Sequence, residues 1–196
     1  MSNVISILKE CGALLEGHFL LSSGRHSDKY FQCAKLFKHP QKASLALEAV
    51  ALKIKADLKS GVLAADAVVG PALGGIIVSY ELARALSLPA FFTERDENGV
   101  MTLRRGFEDA RGLKIIIAED VVTTGKSYRE CAAALEKAGA SVTALSCVVD
   151  RRGEGEKAPP FPFYPAARVE AENWEAEICP LCKKGIPAVK PGSRKI

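Results

Sequence analysis

Near the middle of the chain, Ile115-Ile116-Ile117-Ala118 runs directly into Glu119-Asp120-Val121-Val122-Thr123-Thr124-Gly125-Lys126-Ser127. An apolar run without alternation is what a strand buried on both faces requires, and this one ends in two adjacent carboxylates. Val121 and Val122 then lead into a Thr-Thr-Gly turn that opens a helix. In open α/β sheets, ligands lie beyond the carboxyl ends of the strands. The turn offers successive backbone N–H groups and two hydroxyls at a helix N-terminus, suited to a phosphate monoester. Glu119 and Asp120 would repel that phosphate. They are suited instead to accept hydrogen bonds from sugar hydroxyls, directly or through a divalent cation. Phosphate at one end and hydroxyls at the other describe a ribose 5-phosphate. Gly125-Lys126-Ser127 mimics the close of a nucleoside-triphosphate loop, but that pattern demands glycine where Asp120 stands, so that reading is excluded.

Three other stretches carry residues able to act on such a ligand. Gly70-Pro71-Ala72-Leu73-Gly74-Gly75-Ile76 is a second glycine-rich turn at a strand end, where glycine lets backbone approach an anion closely. Asp150-Arg151-Arg152 follows a later strand, so Arg151 or Arg152 emerges at the same sheet edge with a planar fork that binds a carboxylate bidentately. The charged loop from Glu94 to Phe107 contains Arg95, Arg104 and Arg105, with Gly99 and Gly106 as hinges, the composition of a lid.

The thirteen-residue stretch from Ile115 to Ser127 resembles the 5-phosphoribosyl 1-diphosphate signature of type I phosphoribosyltransferases, and its details resemble the orotate branch of that family. The likeness covers nearly the whole chain. It implies an α/β fold of the type I phosphoribosyltransferase kind, a central parallel sheet flanked by helices with a small N-terminal hood. It also implies Mg2+ bound through the diphosphate and ribose of the substrate, usually in a homodimer. Residues Glu119 to Ser127 (Glu119, Asp120, Val121, Val122, Thr123, Thr124, Gly125, Lys126 and Ser127) would then bind phosphoribosyl diphosphate, with Gly74 and Gly75 in the diphosphate loop. Gly17 to Ser27, with Tyr30 and Phe31, is similar to the segment that covers the pyrimidine in the orotate branch. This places Ser23, Gly24 and Phe31 against orotate. The resemblance further selects Arg151 for the orotate carboxylate and Thr123 for the ring. It makes Glu119, Asp120 and the loop arginines Arg95, Arg104 and Arg105 the catalytic candidates. The chain departs from the enteric pattern at two lysine positions, now Gly74 and Ser22, and its lid carries arginines where the family has lysines and a histidine. The implied activity is transfer of a phosphoribosyl group to orotate in pyrimidine synthesis, with small-molecule substrates as partners and neither nucleic acid nor membrane. The alternatives are a purine or uracil acceptor, or a regulator that binds phosphoribosyl diphosphate without turning it over.

The elements that must position these residues follow from periodicity and punctuation. Val4, Leu8, Cys11 and Leu15 predict a helix from Asn3 to Glu16, with Gly17 as its stop. His18–Leu21 and Tyr30–Leu36 read as short strands, and Pro40 opens a helix to about Lys59, stopped by Gly61. Strands at Ala67–Val69, Ala90–Thr93, Lys114–Ala118 and Val142–Val149 alternate with helices at Ile76–Leu86 and Ser127–Ala138, the pattern of a helix-wrapped parallel sheet. One domain spans residues 1–196: hood and base-binding elements to about 40, sheet core about 60–152, and an extension without clear pattern over about 153–196.

With 27 Lys+Arg against 23 Asp+Glu and 48% hydrophobic residues, the composition is globular and its +4 charge is mild. No apolar run reaches the roughly 18 residues of a membrane span. Lys9 and Glu10 interrupt the first segment where a signal sequence would be apolar, so a cytoplasmic setting is expected. Cys11, Cys33, Cys131 and Cys147 read as small core residues. Cys179-Pro180-Leu181-Cys182 supplies two thiolates where a structural zinc wants four ligands. All three histidines (His18, His26, His39) are far away in sequence, so a structural pair without metal is expected there.

Overall fold

The computed structural model describes residues 2–21, 23–153 and 156–191. Ser22 and the basic tail residues Arg194 and Lys195 lie outside the described residues. In chain order the elements are α1 (Ser2–Glu10), β1 (Leu14–Leu20), β2 (His26–Phe31), α2 (Ala34–Phe37), α3 (Pro40–Ser60), β3 (Ala67–Pro71), α4 (Gly74–Leu86), β4 (Ala90–Arg95) and β5 (Met101–Thr102). They continue with β6 (Lys114–Val122), α5 (Lys126–Lys137), β7 (Ser141–Asp150), β8 (Phe163–Arg168), β9 (Asn173–Trp174), a 3-10 turn (Ala176–Ile178) and α6 (Pro180–Lys183).

The main sheet has the order β5-β4-β3-β6-β7-β8. Every neighbouring pair in it is parallel except the β4–β5 hairpin at one edge. The central strand β6 shows why its sequence has no polar alternation. Ile116 and Ala118 pack into one core with Leu47, Val50 and Ile54 of α3 and Val78 and Leu82 of α4. Ile115 and Ile117 pack into the other with Tyr128, Cys131 and Leu135 of α5. Each such side chain contributes about 1.5–3 kcal/mol when fully withdrawn from water. The hood is a separate antiparallel sheet in the order β1-β2-β9, with its last strand supplied from beyond residue 170.

Several boundaries differ from the sequence expectations. The first helix ends at Glu10 rather than Glu16. Gly12 takes a φ of 63°, and the N–H groups of Gly12 and Ala13 return to the Lys9 and Leu8 carbonyls, the closing pair of a Schellman motif. The chain from Leu14 is therefore free to pair with β2. The strand expected over Tyr30–Leu36 stops at Phe31, and the Ala34–Phe37 stretch is a helical turn that buries Leu36. The charged loop is partly a hairpin, with Arg95 opposite Met101. The extension expected to lack pattern after Arg152 completes both sheets, as β8 and β9. Among the described residues, no helix is long and apolar enough to cross a membrane.

β8 is tied to the helical layer by the Tyr164 hydroxyl, which donates to Asp57 Oδ2 at 2.6 Å. Hydrogen bonds to charged acceptors contribute roughly 1.5–3 kcal/mol. Tyr164→Phe is therefore expected to lower unfolding free energy by about 1–3 kcal/mol in urea titration, with an unchanged slope.

Candidate active site

From β3 the chain turns to β4 on one side of the sheet, whereas from β6 it turns to β7 and β8 on the other. β3 and β6 therefore flank a topological switch point, the place where open sheets bind ligands. Both glycine-rich turns open there. After β6, Gly125 takes a φ of 75° as the residue preceding α5, and the first turn of that helix presents N–H groups that no helical carbonyl satisfies. After β3, the turn Ala72–Leu73 leads into α4, whose first residues are Gly74 and Gly75.

Glu119 and Asp120 are consecutive strand residues and leave the sheet on opposite faces. Asp120 lies against α4: a Cβ at Gly74 would stand 2.5 Å from its Oδ2, and one at Gly75 would stand 2.9 Å from the Ala118 carbonyl. As Asp120 is placed, a side chain at Gly74 would require its carboxylate to move. The Asp120 carboxylate accepts the Val121 N–H at 2.9 Å, yet burial holds its pKa above the usual range. Glu119 faces α5 and is only 6% exposed, and its Oε2 has no partner among the described residues. Burial pushes its pKa up to about 7, opposed by the Ser127 hydroxyl and reinforced by the neighbouring Asp120 charge. Thr123 and Thr124 stand exposed on the turn, and Lys126 is exposed at the start of α5.

A cavity of about 1070 Å³ lies between the hood and the ends of β6, β7 and β8, with Ser23, Arg25, Tyr30, Thr123, Arg151 and Asn173 in its wall. Here the two arginines after β7 separate. Arg152 forms a bidentate pair with buried Asp150, at 2.9 and 3.0 Å. Arg151 instead reaches across to the hood, where one nitrogen donates to Ser27 Oγ at 2.9 Å and to Asn173 Oδ1 at 2.8 Å. Its Nε is buried without a partner among the described residues. The Phe31 ring lies 5.9 Å from the guanidinium. Burial lowers the Arg151 pKa, and the charge of Asp28 opposes the shift. Gly24, at a φ of 81°, gives its N–H to the Leu21 carbonyl in the hood turn.

The structure thus gathers Ser23, Thr123 and Arg151 in one cavity wall, with Phe31 behind Arg151. Glu119, Asp120, Gly74 and Gly75 meet at the adjoining switch point. The loop arginines are not in the cavity wall. Arg95 is paired with Glu130 of α5 and donates to the Gly99 carbonyl at 2.6 Å, and Arg105 is paired with Glu94 at 2.8 Å. The Arg104 guanidinium makes no hydrogen bond among the described residues. Sequence reasoning missed Ser27 and Asn173, which orient Arg151. It also placed the histidines out of reach of the C-x-x-C. That expectation is corrected, because β1 and β2 bring His18 and His26 against Cys179 and Cys182.

With this geometry in view, comparison with known proteins is direct. Residues 41–179 match the family model of the phosphoribosyl transferase domain, and the chain belongs to that family. An orotate phosphoribosyltransferase from Carboxydothermus hydrogenoformans (strain ATCC BAA-161 / DSM 6008 / Z-2901) is 50% identical over 193 residues, which cover 98% of each chain. The crystal structure of orotate phosphoribosyltransferase from Aeropyrum pernix superimposes with a TM-score of 0.67 at 27% identity, over 85% of this chain and 93% of that one. Leishmania donovani UMP synthase shares the fold, with a TM-score of 0.67 at 20% identity over 85% of this chain and 36% of that one.

The raised pKa of Glu119 fixes a sign for pH dependence. Because the folded state holds this proton up to about pH 7 and the unfolded state releases it near 4.3, stability falls as pH rises through that window, by about 4 kcal/mol at most. Glu119→Gln is expected to melt at a higher temperature than the wild type at pH 8 and to lose that advantage towards pH 5. Thermal melts at the two pH values check this.

Proposed function

We propose that this protein transfers the phosphoribosyl group of 5-phosphoribosyl 1-diphosphate to orotate, yielding orotidine 5'-phosphate and diphosphate in pyrimidine synthesis. The observation that carries the reading is the half-satisfied, half-buried Arg151 fork in a cavity wall beside the Thr123–Thr124 turn. A planar carboxylated ring fits between that fork and the sugar-phosphate cradle. The near full-length similarity to an orotate phosphoribosyltransferase supports the same acceptor.

The turn from Val121 to Ser127 grips the 5-phosphate through backbone N–H groups and the Thr123 and Thr124 hydroxyls. Glu119 and Asp120 accept hydrogen bonds from the ribose hydroxyls. The unpartnered Glu119 Oε2 and the Asp120 carboxylate are hard oxygen donors of the kind Mg2+ takes alongside substrate phosphates. When bound through the diphosphate and ribose, Mg2+ supplies charge neutralisation to the leaving group. Gly74 and Gly75 let the α4 amides approach the diphosphate. Arg104, whose guanidinium is free of hydrogen bonds, is the first candidate among the loop arginines to meet it. The bond from C1 to the diphosphate oxygen breaks as orotate N1 attacks the opposite face, and the N1 proton passes to the departing diphosphate. The chain's role is to align the two and to stabilise the charge that develops. Closure of the Glu94–Phe107 loop excludes water from the cationic sugar.

A homodimer fits this reading. Leu73 (84% exposed), the residue before α4, and Ile77 (50%) and Tyr80 (66%) on α4 form an apolar stripe, suited to a second copy of the same face. Free thiols at all six cysteines suit a reducing cytoplasmic setting.

The decisive assay follows orotate ultraviolet absorbance with donor and Mg2+. Orotate is consumed and diphosphate released, whereas uracil, adenine and hypoxanthine leave the donor intact. Arg151→Ala is expected to raise the KM for orotate roughly 10–100-fold, the worth of a hydrogen-bonded charge pair, with little change in the KM of the donor. Equal effects on both constants would remove the carboxylate assignment. Sedimentation equilibrium is expected to give twice the chain mass, and Tyr80→Glu to shift it towards the monomer.

A further inference from the structure

The hood carries a second cluster of chemistry-bearing side chains, away from the cavity wall. His18 on β1 and His26 on β2 face each other, His18 Nε2 lying 2.7 Å from His26 Nδ1. Cys179 Sγ is 3.4 Å from His18 Nε2. Cys182 Sγ is 3.8 Å from His18 Nε2 and 3.3 Å from His26 Nδ1. One ligand atom from each of the four residues lies within 4.8 Å of all the others. We propose that His18, His26, Cys179 and Cys182 bind a structural zinc ion that clamps the C-terminal segment to the hood.

The distances suit that ion. Zinc bonds of about 2.3 Å to sulfur and about 2.0–2.1 Å to nitrogen give tetrahedral edges of about 3.5 Å between sulfur and nitrogen. The three sulfur–nitrogen separations straddle this value. The nitrogen–nitrogen separation is a hydrogen-bond length and must open by roughly 0.6 Å on binding. One nitrogen is already set for ligation. His18 Nδ1 lies 2.7 Å from the Ile186 carbonyl, which accepts only from an N–H, so the His18 lone pair sits on Nε2 and faces the cluster. For His26 the ligand atom is Nδ1, whose proton leaves or moves to Nε2 when the ion enters. Two imidazoles and two thiolates suit zinc among the divalent metals. Four protein ligands leave no open position, the mark of a structural site.

The surrounding chain needs such a clamp. Between residues 171 and 191, Cys179 is the only buried residue, and Ile178 and Val189 are exposed at 60% and 58%. This stretch has almost no apolar burial of its own. Polar contacts hold it instead: backbone hydrogen bonds from Leu20 to Val189 and from Val189 to His18, the short β2–β9 pairing, hydrogen bonds to Arg25, Ser27, Asp28, Arg151 and His18, and the exposed Arg25–Glu175 ion pair. Metal ligation supplies folding energy where a core is missing. The same segment delivers Asn173 to Arg151, so the ion also supports the base pocket from behind.

The test starts from protein made with a tag other than polyhistidine, purified in reducing buffer without chelator. Elemental analysis is expected to find about one zinc per chain, and titration with a mercurial reagent should release that zinc as two thiols react. Cobalt exchanged into the site should show the intense visible absorption of a tetrahedral centre and a sulfur-to-cobalt charge-transfer band. Cys179→Ser with Cys182→Ser should lose the metal, together with the charge-transfer band. The mercurial titration uses the wild-type chain, so it holds even if that double variant folds poorly. Wild-type protein that takes up no zinc after reconstitution under reducing conditions overturns the proposal. So does zinc retained in the double variant, or a Cys179–Cys182 disulfide in the freshly purified chain. None of these readouts depends on which base the enzyme accepts.

Discussion

Less than a methyl group of space separates the two ligand-facing turns of this protein. Asp120, at the end of β6, packs directly on Gly74 at the start of α4, and Gly75 packs on the Ala118 carbonyl. Because β3 and β6 are neighbours in a parallel sheet, the turns that follow them share this wall, and in this chain the glycine on one side leaves the room that the Asp120 carboxylate occupies on the other. The contact fixes how far apart the turn after β3 and the turn after β6 lie. It also buries the Asp120 carboxylate, while Glu119 is buried on the other face against α5. Keeping the two carboxylates dry raises the pKa of both, that of Glu119 to about 7. Such stored instability belongs at a binding site, where a ligand relieves it.

A similar division of labour separates Arg151 from Arg152. Adjacent residues at a strand end point to opposite faces. Arg152 turns back to satisfy buried Asp150, closing an internal pair that stabilises the end of β7. Arg151 turns outward, half satisfied by Ser27 and Asn173. Aligning the fork through one nitrogen leaves another donor pre-oriented for a ligand, which reduces the entropy lost on binding.

Much of the core and part of the site were legible in the sequence. The Ile115–Ala118 run, the acid pair and the Thr-Thr-Gly turn lie within thirteen consecutive residues, so local pattern sufficed. The same holds for α3, whose Pro40 start and Gly61 stop are local signals. What the sequence concealed depends on long-range pairing. β9 is two residues long and has no period to detect, yet it supplies Asn173. β8 contains Pro165 and follows a proline-rich loop, which hides a buried edge strand. The four-residue His and Cys cluster joins positions more than 150 residues apart, and linear spacing around a C-x-x-C cannot reveal ligands carried on another sheet. The first helix was overextended because Leu15 happens to continue a helical period beyond Gly12.

The hood draws on both ends of the described chain, and this bears on the order in which the molecule takes shape during synthesis. The phosphate cradle closes once β6, α5 and β7 have been made, a stretch of purely local connections. The cavity wall around Arg151 waits for Asn173. A nascent chain emerging at roughly 5–20 residues per second therefore has its Thr-Thr-Gly turn a few seconds before Asn173 is available to Arg151. In that interval β1 and β2 present an unpaired edge. The ribosome-bound intermediate is the form of this protein in which that edge lies open to unwanted strand pairing, and the late arrival of β9 closes it.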